Sequence, residues 1–364
     1  MKTNKLTKLI SLFLALTVIM CTFISCKQET GEFVMTTKDE NGKVTGSIDR
    51  KLLSLIVAVV NFQLGADSLE DDMWDMQYQE GNETTVKDIV MAQSIAYAKG
   101  LLQAEYLCDS VYEIGLSDEQ KDSISKYISE LSSSYGSGKS LENTLSVYGA
   151  DIATLERYMS LVLKQDTLYS SFYSENGLRK AIIDERKPSY FEENFVIADH
   201  ILIKYSGGTK DDGTEIPLTD EEKSSKRESA RALYNEIITG VRDFDEALDE
   251  FGQDTYKLGY PFGYFVSDSF YWSGMSEDVQ RAALEMKDGE IRFTDTDSGA
   301  YIIRRNAMDS SLYASNGSFE TYIESSIAQE DFLSICETVS VEVDNSLAYE
   351  IDPALIPSFN IDTL

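Results

Sequence analysis

The sequence predicts an α+β protein in which a β-α-α-β-α-β domain follows, or is inserted in, an all-helical region. Three observations predict it. From residue 85 to 175, apolar residues recur at steps of three and four behind capping sequences, as in helices with one buried face. From 194 to 306 the pattern changes to short Ile- and Val-rich runs separated by helical stretches and glycine turns. Within that second region Phe195 to Lys204, free of Gly and Pro, reads as a buried strand around His200, the only histidine among 364 residues.

Residues 1–25 have the form of a secretory signal: Lys2, Lys5 and Lys8, then the apolar run Leu9 to Ile24, then the small Ser25. Phe23-Ile24-Ser25-Cys26 resembles a bacterial lipobox, which implies cleavage before Cys26 and lipidation of that cysteine. The alternatives are an ordinary secreted protein or a membrane span, for which the apolar run is short. Residues 26–49 read as a polar tether with one hairpin signal at Asn41-Gly42.

Residues 50–175 read as the helical domain. Leu52 to Leu64 is a buried helix, and Met91, Ile95, Ala98, Leu102 and Tyr106 form one helical stripe. Ser117-Asp118-Glu119-Gln120 has capping-box form, and Asp151 caps a long helix with Leu155, Met159, Val162 and Tyr169 inward. The stripes read as core, and no titratable cluster of catalytic type accompanies them. Residues 174–193, charged and holding Pro188, read as a linker.

In 194–306 the strand through His200 is followed by a polar loop, Ser206 to Leu218. Thr219-Asp220-Glu221-Glu222 then caps a helix running to about Ile238. Phe244, Leu248 and Phe251 mark a second helix. Gly259 to Phe265 is a tight aromatic turn into a strand, Glu277 to Met286 is helical, and Thr296 to Arg304 is a turn followed by the last strand. Residues 307–364 hold one more helix, Phe319 to Glu337, and an alternating Val339, Val341, Val343; this tail reads as a return to the helical domain.

The formal charge of −31 excludes a nucleic-acid binder, which needs a basic face, and reads as a well-solvated surface. Beyond residue 26 the cysteines are Cys108 and Cys336. Two cysteines make no disulfide framework; they read as buried thiols, with a bridge between them left open.

Several short motifs then agree in order and spacing. Ala198-Asp199-His200-Ile201-Leu202, Asp243 to Leu248, Gly289-Glu290-Ile291 and Ser298-Gly299-Ala300-Tyr301-Ile302-Ile303 together resemble the parvulin-type peptidyl-prolyl isomerase domain over residues 194–306. The helical region and the returning tail resemble the chaperone lobe of PrsA- and SurA-type secreted foldases. The resemblance implies a site. His200, Asp254, Tyr301, Thr296 and Ser298 correspond to its polar network, and Phe262, Met275 and Val279 to the pocket for the proline ring. Val279 stands where the family has Phe, and Tyr301 stands where it has a second histidine. Gly259-Tyr260-Pro261-Phe262-Gly263 replaces its Gly-Gly-Asp-Leu-Gly turn.

The implied function is extracytoplasmic prolyl cis/trans isomerisation, assisting the folding of secreted proteins from a lipid anchor on the bacterial cell membrane. The implied partners are unfolded or newly secreted polypeptides with X-Pro bonds; a homodimer is left open. The reaction breaks no covalent bond, so no organic cofactor or metal is expected, and one histidine makes no metal cluster. A second reading is a non-catalytic chaperone with a degenerate parvulin domain. A third, a solute-binding lipoprotein, would require a two-lobed α/β alternation that is not seen.

Overall fold

A computed structural model describes residues 33–77, 83–135, 140–209, 214–254, 259–268 and 276–361. The expected signal segment, Cys26 and Met275 lie outside the described residues. The fold is mixed helix and sheet. It divides into two units, one reaching to Ala181 and resuming at Ala328, the other spanning Ile182–Ile327.

In the first unit, β1 (Phe33–Lys38) and β2 (Val44–Asp49) form an antiparallel hairpin. The stretch read as a tether is therefore sheet from Phe33 onward. The reason is burial: Val34 to Thr37 are inside, and β1 has a second partner from the far end of the chain. Asp39 accepts from the Asn41 and Lys43 amides to close the turn.

Next, α1 (Arg50–Gln63) is capped by Asp49 and buries every residue from Leu52 to Asn61. A helix apolar all round belongs at the centre of a core, and this one has that place. Around it stand α2 (Val86–Tyr106), α3 (Asp118–Ser134), α4 (Leu141–Ser146) and α5 (Ile152–Tyr173). Capping boxes start α2, α3 and α5 at Thr85, Ser117 and Asp151. A π-helical turn, Leu107–Val111, ends α2.

The expected linker is instead a helix, α6 (Lys180–Asn194), continuous through Pro188. Proline inside a helix costs about 3 kcal/mol. Burial of Ile183, Lys187, Tyr190 and Phe191 on one face offsets it.

The second unit holds β3 (Val196–Lys204), the short hairpin β4 (Ser206–Thr209) and β5 (Glu215–Pro217), α7 (Asp220–Ile238), α8 (Phe244–Phe251), β6 (Tyr264–Val266), α9 (Glu277–Glu285), β7 (Ile291–Asp295) and β8 (Gly299–Arg305). Its main sheet is antiparallel, in the order β6-β3-β8-β7. One face packs on α7 and α8 through Ile201, Ile302, Leu233, Ile237, Phe244 and Ala247. The other packs on α9 through Ala198, Leu202, Tyr301, Ile303, Val279, Ala282 and Met286. Successive residues of β3 thus serve opposite faces, as strand geometry requires.

The chain re-enters the first unit inside α10 (Gly317–Cys336). β9 (Val341–Val343) then joins β1, giving the sheet order β2-β1-β9. A short α11 (Asn345–Ala348) follows. The tail is fixed on α1: Asn61 donates to the Pro353 and Ile356 carbonyls, and the Phe359 amide to that of Ala58. Cys108 and Cys336 are buried free thiols, and Cys336 lies in an apolar cluster with Phe172 and Phe332. Burial raises them to about 11 and about 12.

Candidate functional site

The site lies within the second unit, on the α9 side of its sheet. β3 is a central strand, so His200 has neighbours on both flanks and is 1% exposed. Ala198 pairs with Tyr264 on β6, and Leu202 pairs with Tyr301 on β8. Both tyrosines are therefore diagonal neighbours of His200, within reach for aromatic rings. The Tyr264 ring stacks on the imidazole at 5.1 Å and 24°, and the Tyr301 ring meets it at 5.4 Å and 59°. The imidazole lies between two phenols.

Asp254 enters from the loop after α8. The preceding residue ties that loop to β3: the Gln253 amide donates to the Leu202 carbonyl at 2.9 Å, and Gln253 Oε1 accepts from the Lys204 amide at 2.7 Å. This brings Asp254 Oδ2 to 3.1 Å from His200 Nε2, with the Asp254 side chain 5% exposed. The approach is close enough for a charge contact, but neither ring nitrogen completes a hydrogen bond of good angle. Tyr264 Oη donates to the same Oδ2. Burial, and then this bond to Asp254, hold the Tyr264 phenol well above the ordinary tyrosine range, so it stays a proton donor. The Tyr260 ring meets that of Tyr264 at 4.6 Å, tilted by 33°, and burial raises its phenol as well.

Of the residues expected in the site, the structure brings together His200, Asp254 and Tyr301. Thr296 and Ser298 sit in the β7–β8 turn. The Thr296 hydroxyl is 3.1 Å from that of Ser298, accepts from the Ser298 and Gly299 amides and donates to the Gly299 carbonyl. Gly299 pairs with Lys204, four residues along β3 from His200, or roughly 13 Å at ~3.3 Å per residue. Val279 is wholly buried beneath the sheet in α9, whereas Phe262 is 50% exposed on the turn before β6. That turn depends on Gly263, whose φ of +98 and close approach to β3 leave little room for a side chain.

Tyr264 and Tyr260 were not among the expected residues. The available signal was chemical: a buried Tyr beside Phe265 and Val266 needs a partner for its hydroxyl. Spacing along the chain does not say that the partner is Asp254. Among the described residues there is no cluster of three or more metal-ligating side chains, and no helix long and apolar enough to cross a membrane.

No family model matches the chain, and no curated protein does. Among solved structures, it is similar to PrsA from Bacillus subtilis at 16% identity, covering 76% of this chain and 88% of that one, with a TM-score of 0.23. Peptidylprolyl isomerase PrsA from Bacillus anthracis is 17% identical over 66% of this chain and 96% of that one, with a TM-score of 0.25. Foldase protein PrsA from Streptococcus pneumoniae is 15% identical over 77% and 96%, with a TM-score of 0.22. At these values the likeness carries no argument about the reaction, which has to come from the geometry of the site.

Proposed function

We propose that the protein is an extracytoplasmic foldase that speeds cis/trans isomerisation of X-Pro bonds in unfolded or newly secreted polypeptides. One observation supports this above the others: a carboxylate, an imidazole and two phenols converge at the middle of an otherwise apolar sheet face. Within it, among the described residues, both His200 ring nitrogens lack a hydrogen-bond partner, a cost that packing alone does not explain.

The chemistry asked of the cluster is modest. Rotation about the amide meets a barrier of roughly 18–20 kcal/mol and takes on the order of 10–100 s unaided. A surface that favours the twisted amide over both planar forms lowers that barrier without covalent chemistry. In this reading the buried Asp254 charge acts on the client amide through its field, together with His200 and Tyr301. Phe262 offers an apolar contact, and Met275, outside the described residues, is assigned to the proline pocket by the resemblance alone. Thr296 and Ser298 hold the turn that leads into β8, and Val279 supports the pocket floor.

The test is isomerisation of a proline peptide by the wild type and by His200→Ala. Loss of at least tenfold in rate constant in the variant supports the reading; equal rates end it. The second reading, a chaperone with a silent domain, draws on the enclosure of His200 and Val279, at 1% and 0% exposed. Suppression of client aggregation that persists unchanged in His200→Ala, without isomerisation by the wild type, would favour it. Anchoring through a lipidated Cys26 is part of the proposal, and Cys26→Ser would then move the protein from the membrane fraction to the soluble one. Self-association into a homodimer is testable by sedimentation.

A further inference from the structure

We infer that Tyr264 is a positioning residue whose hydroxyl sets how much of the Asp254 charge reaches His200. The inference deepens the isomerase reading and rests on it for its functional meaning, but its test does not require turnover.

Three observations converge. Tyr264 is 1% exposed and stacks face to face on the imidazole. Its hydroxyl donates to Asp254 Oδ2, the oxygen that also approaches His200 Nε2. Gln253 ties the Asp254 loop to β3 at Leu202 and Lys204, which restrains the carboxylate between Tyr264 and His200. A donor on a carboxylate oxygen draws off the electron density that would otherwise stabilise a neighbouring cation. Tyr264 therefore holds Asp254 in place and moderates its pull on the imidazole.

Among the described residues, the groups around the pair are these. From β8 the imidazole is faced by the Tyr301 phenol, and beyond Tyr264 stands Tyr260. From α9, Val279, Ala282 and Ala283 pack on this face. Asp199, the preceding residue of β3, is held by Arg304 at 3.3 Å and Asn306 at 2.9 Å, and Arg304 is also bonded to Asp245.

Because His200 is the only histidine, its titration is read in the intact protein by NMR without ambiguity. Tyr264→Phe keeps the stacked ring and removes the hydroxyl. The His200 midpoint should then rise, with proton affinity increasing about threefold to tenfold, and Asp254→Asn should lower it. The isomerisation pH profile should move with the same sign. A midpoint unchanged in Tyr264→Phe overturns the inference, and so does one unchanged in Asp254→Asn. Should Tyr264→Phe not fold, the wild type provides the second measurement: a slowly exchanging Tyr264 hydroxyl proton that disappears in Asp254→Asn. Its absence from the wild type also overturns the inference. If the midpoint shifts as stated while the wild type isomerises nothing, the isomerase reading fails and the role of Tyr264 stands.

Discussion

Arg157 grips the buried carboxylate of Glu105 with both terminal nitrogens, each 2.5 Å from its own oxygen. Lys164 adds a third contact at 2.9 Å, and the Glu105 side chain is only 7% exposed. A buried carboxylate needs this much compensation, because desolvation alone would drive it neutral. Here Arg157 and Lys164 outweigh burial, and Glu105 ionises below its ordinary value of 4.5.

Glu105→Gln should therefore destabilise the first unit by about 3 kcal/mol at pH 7, since it leaves two cations facing a neutral group. The sign with pH follows from the lowered value. The Glu105 contribution is fully present above 4.5 and is lost as pH falls through its folded value. Urea denaturation should show the gap between wild type and variant closing below about pH 4. A gap that persists undiminished at pH 3 contradicts the ion-pair account.

Lys187 presents the opposite case. Its side chain is 8% exposed, and its ammonium meets Asp184 at 3.0 Å, Glu320 at 3.1 Å and Glu324. Burial alone would lower it, but the three carboxylates raise it above its ordinary 10.5. Lys187→Met should cost the second unit about 3 kcal/mol at neutral pH. A raised cation contributes fully below 10.5 and loses the contribution only as pH climbs through its folded value. Stability measured from pH 7 to 10 should thus show a constant difference.

Gly263 should not tolerate a side chain. Its φ is +98, and a Cβ would meet Ile197 Cγ2 at 3.0 Å and the Ala198 carbonyl at 3.1 Å. Gly263→Ala should destabilise by about 1–3 kcal/mol and slacken the attachment of Tyr264 to β3. Thermal unfolding reads the first effect, and line broadening of the His200 NMR signal reads the second.

Val279 occupies a filled position. It is 0% exposed among Tyr264, Tyr301, Ala283 and Met286. Val279→Phe, the residue that the parvulin pattern has there, should overpack this layer and cost about 1–3 kcal/mol. A variant that instead gains isomerase rate with no loss of stability would show that the layer has room to open.

The helices that begin in capping boxes were legible residue by residue. Ser117 with Gln120, Asp151 with Thr154 and Thr219 with Glu222 each close a bond across three residues, so a local reading finds them. The strand through His200 was legible for a similar reason, as an unbroken run of residues that fit a buried sheet. The helix through Pro188 was not, because its stability comes from the face it buries against distant residues. The hairpin signalled at Asn41-Gly42 joins β1 to β2, but the pairing of β1 with β9 was not legible, because β9 lies some three hundred residues away, as the Lys38–Glu342 bond across 304 positions illustrates.

The sequence by itself determined the α+β class, the capped helices and the strand that carries the single imidazole, because these depend on hydrophobic period and bonds between near neighbours. Only the tertiary structure decided that Tyr264 shares Asp254 with His200, and that Thr296 and Ser298 spend their hydroxyls within a turn. Strand pairing brings side chains together at about 5 Å whatever their separation along the chain. That juxtaposition is written in no local pattern.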